Sequence, residues 1–210
     1  MFKTSIRRLA VLAIATTGIG IAGQSAAAQD TTATGIKWPG KYPYVAADVY
    51  FISGMIGHHA QAIVMARWAP THGASASVRT LCERIINAQT DEIALMQSWL
   101  KDRHQPVPEA KPMPMKMMMN GVEHMMLMPG MLTDEQMAKL DAARGKEFDH
   151  LFLLFMIQHH NGAVKMVTDL FATDGAAQDE QVFKMANDIQ ADQGTEINRM
   201  TKMILTMPGE

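Results

Sequence analysis

Apolar residues recur every three to four positions through four long stretches of the 210-residue chain. This spacing predicts long helices over 46–69, 75–104, 146–172 and 178–206. A shorter helix is predicted from Thr133 to about Arg144, and no stretch has convincing strand alternation. Because a helical hairpin cannot bury its own apolar face, two hairpins should pack together. The prediction is an all-α, four-helix bundle.

Residues that start and stop helices lie at the ends of these stretches. Ser75 or Ser77 is suited to cap the second helix, and Thr133 to Gln136 resembles a capping box. Helix-breaking residues follow the predicted helices: Pro70, Gly73, Pro106, Pro108, Gly175 and Pro208. The predicted helix limits therefore rest on both periodicity and end signals.

An internal repeat with an offset of 101 residues relates the two hairpins. The first copy runs from Asp48 to Met65 as DVYFISGMIGHHAQAIVM, and the second from Asp149 to Met166 as DHLFLLFMIQHHNGAVKM. A second block, Gln-x-x-Glu-Ile-x-x-Met, begins at Gln89 and recurs after a three-residue insertion. Helix packing alone would explain the repeated apolar positions but not a doubled histidine.

Repeated histidine, methionine and carboxylate side chains make the two copies candidate metal sites. Imidazole and thioether groups suit copper, although methionine at helical spacing also serves as core filler. The candidate donors are Met55, His58, His59, Met65, Met96, Met156, His159, His160, Met166 and Met200. Four carboxylates are expected to support these donors rather than bind a soft metal directly: Asp48, Glu92, Asp149 and Glu196.

The segment between the hairpins is unusually rich in methionine. Nine of the nineteen residues from Met113 to Met131 are methionine, and proline and glycine prevent one continuous helix. Thioether sulfur favours Cu(I), and by extension Ag(I), and needs no deprotonation. The candidate donors here are Met113, Met115, Met117, Met118, Met119, His124, Met125, Met126, Met128 and Met131. The alternative, compatible with metal binding, is a hydrophobic flap over the bundle.

The N-terminus has the layout of a secretory signal peptide. Lys3, Arg7 and Arg8 precede an apolar run that is short for a membrane span, and a small-residue cleavage site precedes Gln29. We therefore expect a periplasmic or secreted protein with no stable membrane span after cleavage, the alternative being a retained anchor. The predicted divisions are a signal peptide at 1–28, an extended segment at 29–45, and a bundle at 46–206, comprising repeat one at 46–104, the Met-rich linker at 105–132 and repeat two at 133–206.

Composition excludes several other functions. Hydrophobic residues make up 48% of the chain, enough for a real core, and no basic run is long enough to indicate nucleic-acid binding. Cleavage after residue 28 would leave 16 basic residues against 21 acidic ones. The single cysteine, Cys82, cannot form an internal disulfide and is best interpreted as a small buried hydrophobe.

Several motifs resemble the DUF305 family: MIGHHAQAIVMA, QTDEIALMQSWL, QGTEINRM, and the long segment from MPGM through FMIQHHNGAVKMV. The resemblance covers about residues 46–206. It implies a ferritin-like four-helix bundle in an exported bacterial protein, with copper binding in some members. The family's motif residues correspond here to Met55, His58, His59, Met65, Met128, Met131, Met156, His159, His160 and Met166.

Together these patterns predict an exported protein that sequesters or shuttles copper as Cu(I), and that also accepts Cu(II) or Ag(I). Its expected partners are metal ions and a copper exporter or another periplasmic copper protein. One alternative is a ferritin-like metal-dependent oxidase, but such a bundle needs two Glu-x-x-His motifs. This chain has one, Glu147 to His150. The other alternative is a structural or partner-binding bundle without metal.

Overall fold

A computed structural model describes residues 44–119 and 122–207, except for the side chains of residues 117–119. Four long helices form an all-α bundle, which confirms the predicted fold class. The elements in chain order are α1 (Ala46–Arg67), α2 (Ala76–Asp102), β1 (Met115–Met119), β2 (Val122–Met126), α3 (Asp134–Ala142), α4 (Lys146–Phe171) and α5 (Glu180–Thr206). The predicted signal peptide at 1–28 lies outside the described residues, as does nearly all of the predicted extended segment.

The helix ends follow local capping chemistry. The Ser75 side chain accepts a hydrogen bond from Val78 N at the start of α2, and Thr133 and Gln136 form a reciprocal capping box at the start of α3. Asp179 caps α5 by accepting from Gln181 N and Val182 N. These caps satisfy amide groups that the first turn of a helix leaves unpaired.

The two central helices, α1 and α4, run antiparallel and are held at both ends by repeated aspartates. Asp48 at the start of α1 accepts a hydrogen bond of 2.7 Å from Ala177 N, just after α4. Asp149 at the start of α4 accepts from Ser75 N at 3.1 Å, just after α1. Each aspartate therefore fastens one hairpin to the turn of the other, and the pseudo-twofold relation of the repeats is built into the fold.

The outer helices α2 and α5 pack against α1 and α4, respectively. Most of α1 is buried, as expected for a helix with neighbours on several sides. Two hydrophobic clusters fill the bundle, one containing Met55 and the other Met65. No helix of the described ranges is long and apolar enough to cross a membrane.

The linker contains a two-stranded antiparallel hairpin that sequence patterning did not predict. Met115 pairs with Met126 and Met119 with Val122. Methionine is not β-branched, so the segment lacks the usual composition of a strand. Asn120-Gly121 between the strands is nevertheless a dipeptide typical of two-residue hairpin loops, and it was the signal available in the sequence.

Candidate metal centre

Four histidines meet at the middle of the bundle, and each is fully buried. Consecutive residues on a helix point about 100° apart, so the two members of each pair face different neighbours. His58 of α1 packs against His159 of α4, with ring centroids 3.8 Å apart. His59 instead lies against Glu92 of α2, and His160 lies against Glu196 of α5.

An oxygen atom lies beside one ring nitrogen in three of the four histidines. His58 Nε2 is 2.9 Å from the carbonyl oxygen of Pro129, which can only accept, so this nitrogen carries the proton. His160 Nε2 hydrogen-bonds Glu196 Oε2 at 2.6 Å. His59 Nε2 lies 2.7 Å from Glu92 Oε2, although it is not aligned for a hydrogen bond.

The opposite nitrogen, Nδ1, is buried and has no hydrogen-bond partner in His58, His59 and His160. Metal-binding histidines show this arrangement, because an outer oxygen holds one N–H and leaves the other nitrogen free to donate its lone pair. In His159 neither ring nitrogen has a partner. The cluster therefore presents several buried ring nitrogens without a hydrogen-bond partner.

Two buried glutamines lie one helical turn before the glutamates that contact the histidines, and sequence analysis did not single them out. Gln89 is 2% exposed and neither atom of its side-chain amide is hydrogen-bonded, and Oε1 of the equally buried Gln193 is also unpaired. Among the described residues, every buried side-chain nitrogen or oxygen without a partner belongs to these glutamines or to the four histidines. Each such group costs about 1–3 kcal/mol. The repeated Gln-x-x-Glu block was the available signal.

Burial keeps the central imidazoles neutral. Desolvation, followed by the charge of His59, lowers the pKa of His58 to about 3. Desolvation and the neighbouring His58 likewise hold the pKa of His159 well below its usual value. In the metal-free protein these two imidazoles therefore stay neutral below about pH 6.5, the ordinary histidine value. Their lone pairs stay available in mild acid.

Buried methionines flank the imidazoles on both sides. One hydrophobic cluster holds Met55, Met96 and Met166 together with Met128 and Met131, and the other holds Met65, Met156 and Met200. Because α1 and α4 are antiparallel, each cluster combines two methionines of one repeat with one of the other. Along α1 the histidine pair lies between Met55 and Met65. Thioethers are thus placed on either side of the histidine layer.

The end of the linker forms a strap, residues 128–132, across α1 and α4. The strap lies so close to Gly162 that a Cβ there would overlap the Pro129 carbonyl. Gln61 binds both backbone polar groups of Leu132, at 2.7 and 3.0 Å. Met128 and Met131 are each only 5% exposed. The strap therefore covers the histidines and brings two linker methionines into the core.

The rest of the linker lies at the surface. Exposed side chains in this region belong to Met113, His124, Met125 and Met126, and Met115 is half-buried. Met117, Met118 and Met119 belong to β1 by their backbone. The predicted linker donors thus divide into a buried pair in the strap and an outer group on the hairpin and just before it.

The four predicted supporting carboxylates fall into two groups, one that contacts the histidines and one that does not. Glu92 and Glu196 touch the histidines, as described above. Asp48 and Asp149 do not, because each lies ten residues before its histidine pair, about 15 Å along the helix. Their hydrogen bonds to turns make them structural latches. Over the described part of the chain, no three His, Cys, Asp or Glu side chains converge as placed, so a metal here would need thioether ligands or side-chain movement.

The comparisons with known proteins identify the family and the fold. The family described as Domain of unknown function (DUF305) matches residues 48–204. A solved DUF305 fragment from Deinococcus radiodurans is 26% identical, with a TM-score of 0.64, and the match covers 78% of this chain and 98% of that one. A candidate secreted DUF305 protein from Streptomyces coelicolor is 28% identical, with a TM-score of 0.62 over 75% of this chain and 89% of that one.

A third similar structure is CopM in its Cu(I)-bound form, 27% identical, with a TM-score of 0.58 over 77% of this chain and 98% of that one. CopM structures with Cu(II) and with Ag bound are similar to this chain as well. Among curated proteins, no sequence matches this chain.

Proposed function

This chain belongs to the DUF305 family, and from that premise we propose that it binds copper in the interior of its bundle. The observation that carries the proposal is the set of buried, unpartnered ring nitrogens in the four histidines. A neutral imidazole whose far nitrogen is held by an oxygen is ready to bind a metal. The similarity to copper-bound and silver-bound CopM supports the same assignment.

The proposed interior site combines imidazole with thioether donors. Imidazole accepts both Cu(I) and Cu(II), whereas thioether selects Cu(I). Three methionines on the same side of the histidines as the strap share one hydrophobic cluster: Met55, Met166 and Met128. A Cu(I) ion in this region would have soft ligands from α1, α4 and the strap, together with imidazoles from both hairpins.

The hairpin is proposed as a second, surface group of Cu(I) ligands. Two methionines of its second strand are exposed although apolar: Met125 is 57% exposed and Met126 is 39% exposed. Such exposure suits capture or transfer of an ion better than storage, because a ligand at the surface can be reached by another protein. We therefore assign sequestration or shuttling of copper in copper tolerance, with an exporter or another periplasmic copper protein as partner.

Export from the cytoplasm belongs to the same proposal. The charged and apolar N-terminal run followed by small residues supports a cleaved signal peptide. A similar chain from Streptomyces coelicolor is described as a candidate secreted protein. Methionine ligands suit that setting because, unlike cysteine, they are not consumed by disulfide formation.

The oxidase alternative finds less support. Its one Glu-x-x-His motif, Glu147 to His150, has both side chains exposed on α4, whereas di-iron bundles project these groups inward. A partner-binding bundle without metal would explain exposed methionines. It would not explain the buried ring nitrogens that have no hydrogen-bond partner.

Competition titration with Cu(I) and Cu(II), with mass spectrometry for stoichiometry, tests the proposal. One variant changes the hairpin methionines to leucine, which keeps bulk but removes the donor. A second changes the four core histidines to glutamine, and His150→Gln serves as a control for an exposed histidine on the same helix. Circular dichroism confirms that each variant remains helical.

The hairpin variant should lose Cu(I) equivalents and keep its Cu(II) binding. The histidine variant should lose Cu(II) binding and the interior Cu(I), while the control matches the parent protein. Unchanged Cu(I) capacity in the hairpin variant would mean that the hairpin is a hydrophobic flap and does not bind Cu(I). Unchanged copper binding in the histidine variant would refute the interior site.

A further inference from the structure

The histidine layer is closed to solvent, and one part of its cover is not helical. His58 and His159 are each 0% exposed, so an ion can reach their ring nitrogens only when part of the fold moves aside. The helices that carry and flank these residues have continuous backbone hydrogen bonds. The strap, residues 128–132, lacks them, and such a segment opens at a lower free energy than a packed helix.

Side-chain hydrogen bonds from α1 hold the strap in its closed position. Gln61 accepts from Leu132 N at 2.7 Å and donates to Leu132 O at 3.0 Å. His58 Nε2 donates to the carbonyl oxygen of Pro129 at 2.9 Å. One fastening of the strap is therefore an imidazole of the proposed copper site, so the state of that imidazole bears directly on whether the strap stays closed.

Two glycines, one on each central helix, leave room for the strap. A Cβ on Gly54 of α1 would lie 2.8 Å from Met128 Cε, and a Cβ on Gly162 of α4 would overlap the carbonyl of Pro129. This close approach lets Met128 and Met131 reach the core, where each is 5% exposed. Opening the strap would withdraw both thioethers from the interior.

The strap also connects the outer methionines to the interior. Strand β2 ends at Met126, whose side chain is 39% exposed, and the strap begins two residues later at Met128, which is 5% exposed. Two residues of extended chain span roughly 7 Å. Thioether donors therefore lie outside and inside the protein within one short stretch of backbone.

We propose that the strap is the gate of the interior copper site, opening to pass Cu(I) between the hairpin methionines and the core and closing over the bound ion. This inference rests on the proposed copper-binding function. Met128 and Met131 move with the strap and are soft donors. A closed strap thus completes the ligand set, and an open one provides the route in and out.

Strap closure and copper binding should stabilise each other through His58. An ion bound at Nδ1 leaves the proton on Nε2, which is the nitrogen that donates to the Pro129 carbonyl. Histidines that bind metal characteristically donate their other N–H to such an oxygen. Because the coupling is reciprocal, copper stabilises the closed strap by the same factor by which the closed strap tightens copper binding.

Hydrogen exchange of the full chain, read by mass spectrometry, measures strap opening. The amides of Met131 and Leu132 are the reporters, because in the closed form they donate to Met128 O and to Gln61 Oε1, respectively. Exchange is compared between the metal-free protein and the protein loaded with Cu(I), with Ag(I) as a redox-stable substitute. We expect either ion to slow exchange at these two amides about tenfold.

Release of Cu(I) to a coloured chelator measures the gate directly. Gln61→Leu removes the clamp on Leu132, and Gln97→Leu is the matched control because Gln97 donates to another linker carbonyl, that of Pro108, at 3.0 Å. Gln61→Leu should release the interior ion about tenfold faster, since two buried backbone groups lose their partner and the strap opens more often. Gln97→Leu should match the parent protein. The interior ion is recognised as the release phase that the four-histidine variant lacks.

Circular dichroism checks that each variant folds, and Gln158→Leu, which removes only a longer bond of 3.3 Å to Gly130 O, replaces Gln61→Leu if that variant does not. Release at the parent rate from the folded variant, or exchange at the strap amides that Cu(I) does not slow, would overturn the gate even when copper binds as proposed. Failure of the copper assignment appears separately, as Cu(I) binding by the parent that does not depend on the core histidines, and it would overturn the gate as well.

Discussion

The buried imidazole of His58 should make the metal-free bundle sensitive to mild acid. In the unfolded chain a histidine takes up a proton below about pH 6.5. In the folded protein the pKa of His58 is lowered to about 3, first by burial and then by the charge of His59. Between these two values the unfolded state holds one proton more than the folded state, so stability falls as the pH falls.

The size of the effect follows from that difference. Over the window from about pH 6.5 to 3, each pH unit removes ~1.4 kcal/mol of the free energy of unfolding per such histidine. At pH 5 the loss from His58 alone is about 2 kcal/mol. His159, whose pKa is also lowered by burial, adds to this loss. Above about pH 6.5 the histidine is neutral in both states, so this loss of unfolding free energy is absent.

Urea unfolding of the metal-free protein at pH 7.5 and at pH 5 measures the loss. His58→Gln removes the titrating group and keeps a donor for the Pro129 carbonyl. Between pH 7.5 and pH 5 this variant should therefore lose about 2 kcal/mol less unfolding free energy than the parent loses. His150→Gln, at an exposed position on α4, should follow the parent. If His58→Gln and the parent lost the same stability over this interval, His58 would not be held neutral by burial, and the argument would be refuted.

Three further changes test the packing of the bundle. Gly162→Ala forces the strap away from α4 and should lower the free energy of unfolding by about 1–3 kcal/mol. Gly194→Ala on α5, where a Cβ meets nothing within 4 Å, should instead raise it by up to ~1 kcal/mol. Thermal unfolding compares the two variants. Asp149→Ala removes the latch on Ser75 N and should cost about 1.5–3 kcal/mol in the same assay, and a loss below 0.5 kcal/mol would mean that the latch contributes little. The metal-free protein should have the circular dichroism of a helical bundle, since its core is apolar and packed; an apo protein that becomes helical only with copper would contradict this.

Local signals in the sequence determined much of the secondary structure. Apolar periodicity together with capping and helix-breaking residues located the helices to within a few residues, because these interactions involve neighbours along the chain. Thr133 and Gln136, for example, form the predicted capping box. The repeat also indicated that whatever His58 and His59 do, His159 and His160 do in a related way.

The linker shows where local signals were weaker. Its methionines suggested soft-metal chemistry, but not that residues 115–119 and 122–126 would pair as strands. Strand pairing depends on cross-strand neighbours and on the connecting turn more than on intrinsic preference. Nor could composition distinguish the buried Met128 from the exposed Met125, since that difference arises where the strap meets α1 and α4.

Tertiary structure alone decided which groups the repeated residues meet. Asp48 and His59 recur with the same regularity, yet Asp48 bonds a turn 129 residues away and His59 faces a carboxylate on α2. Periodicity assigns a residue to a face of its own helix, but the partner on that face depends on how distant helices pack. The unpaired nitrogens of the core histidines and the strap that covers them take their places only once the two hairpins are antiparallel and in contact.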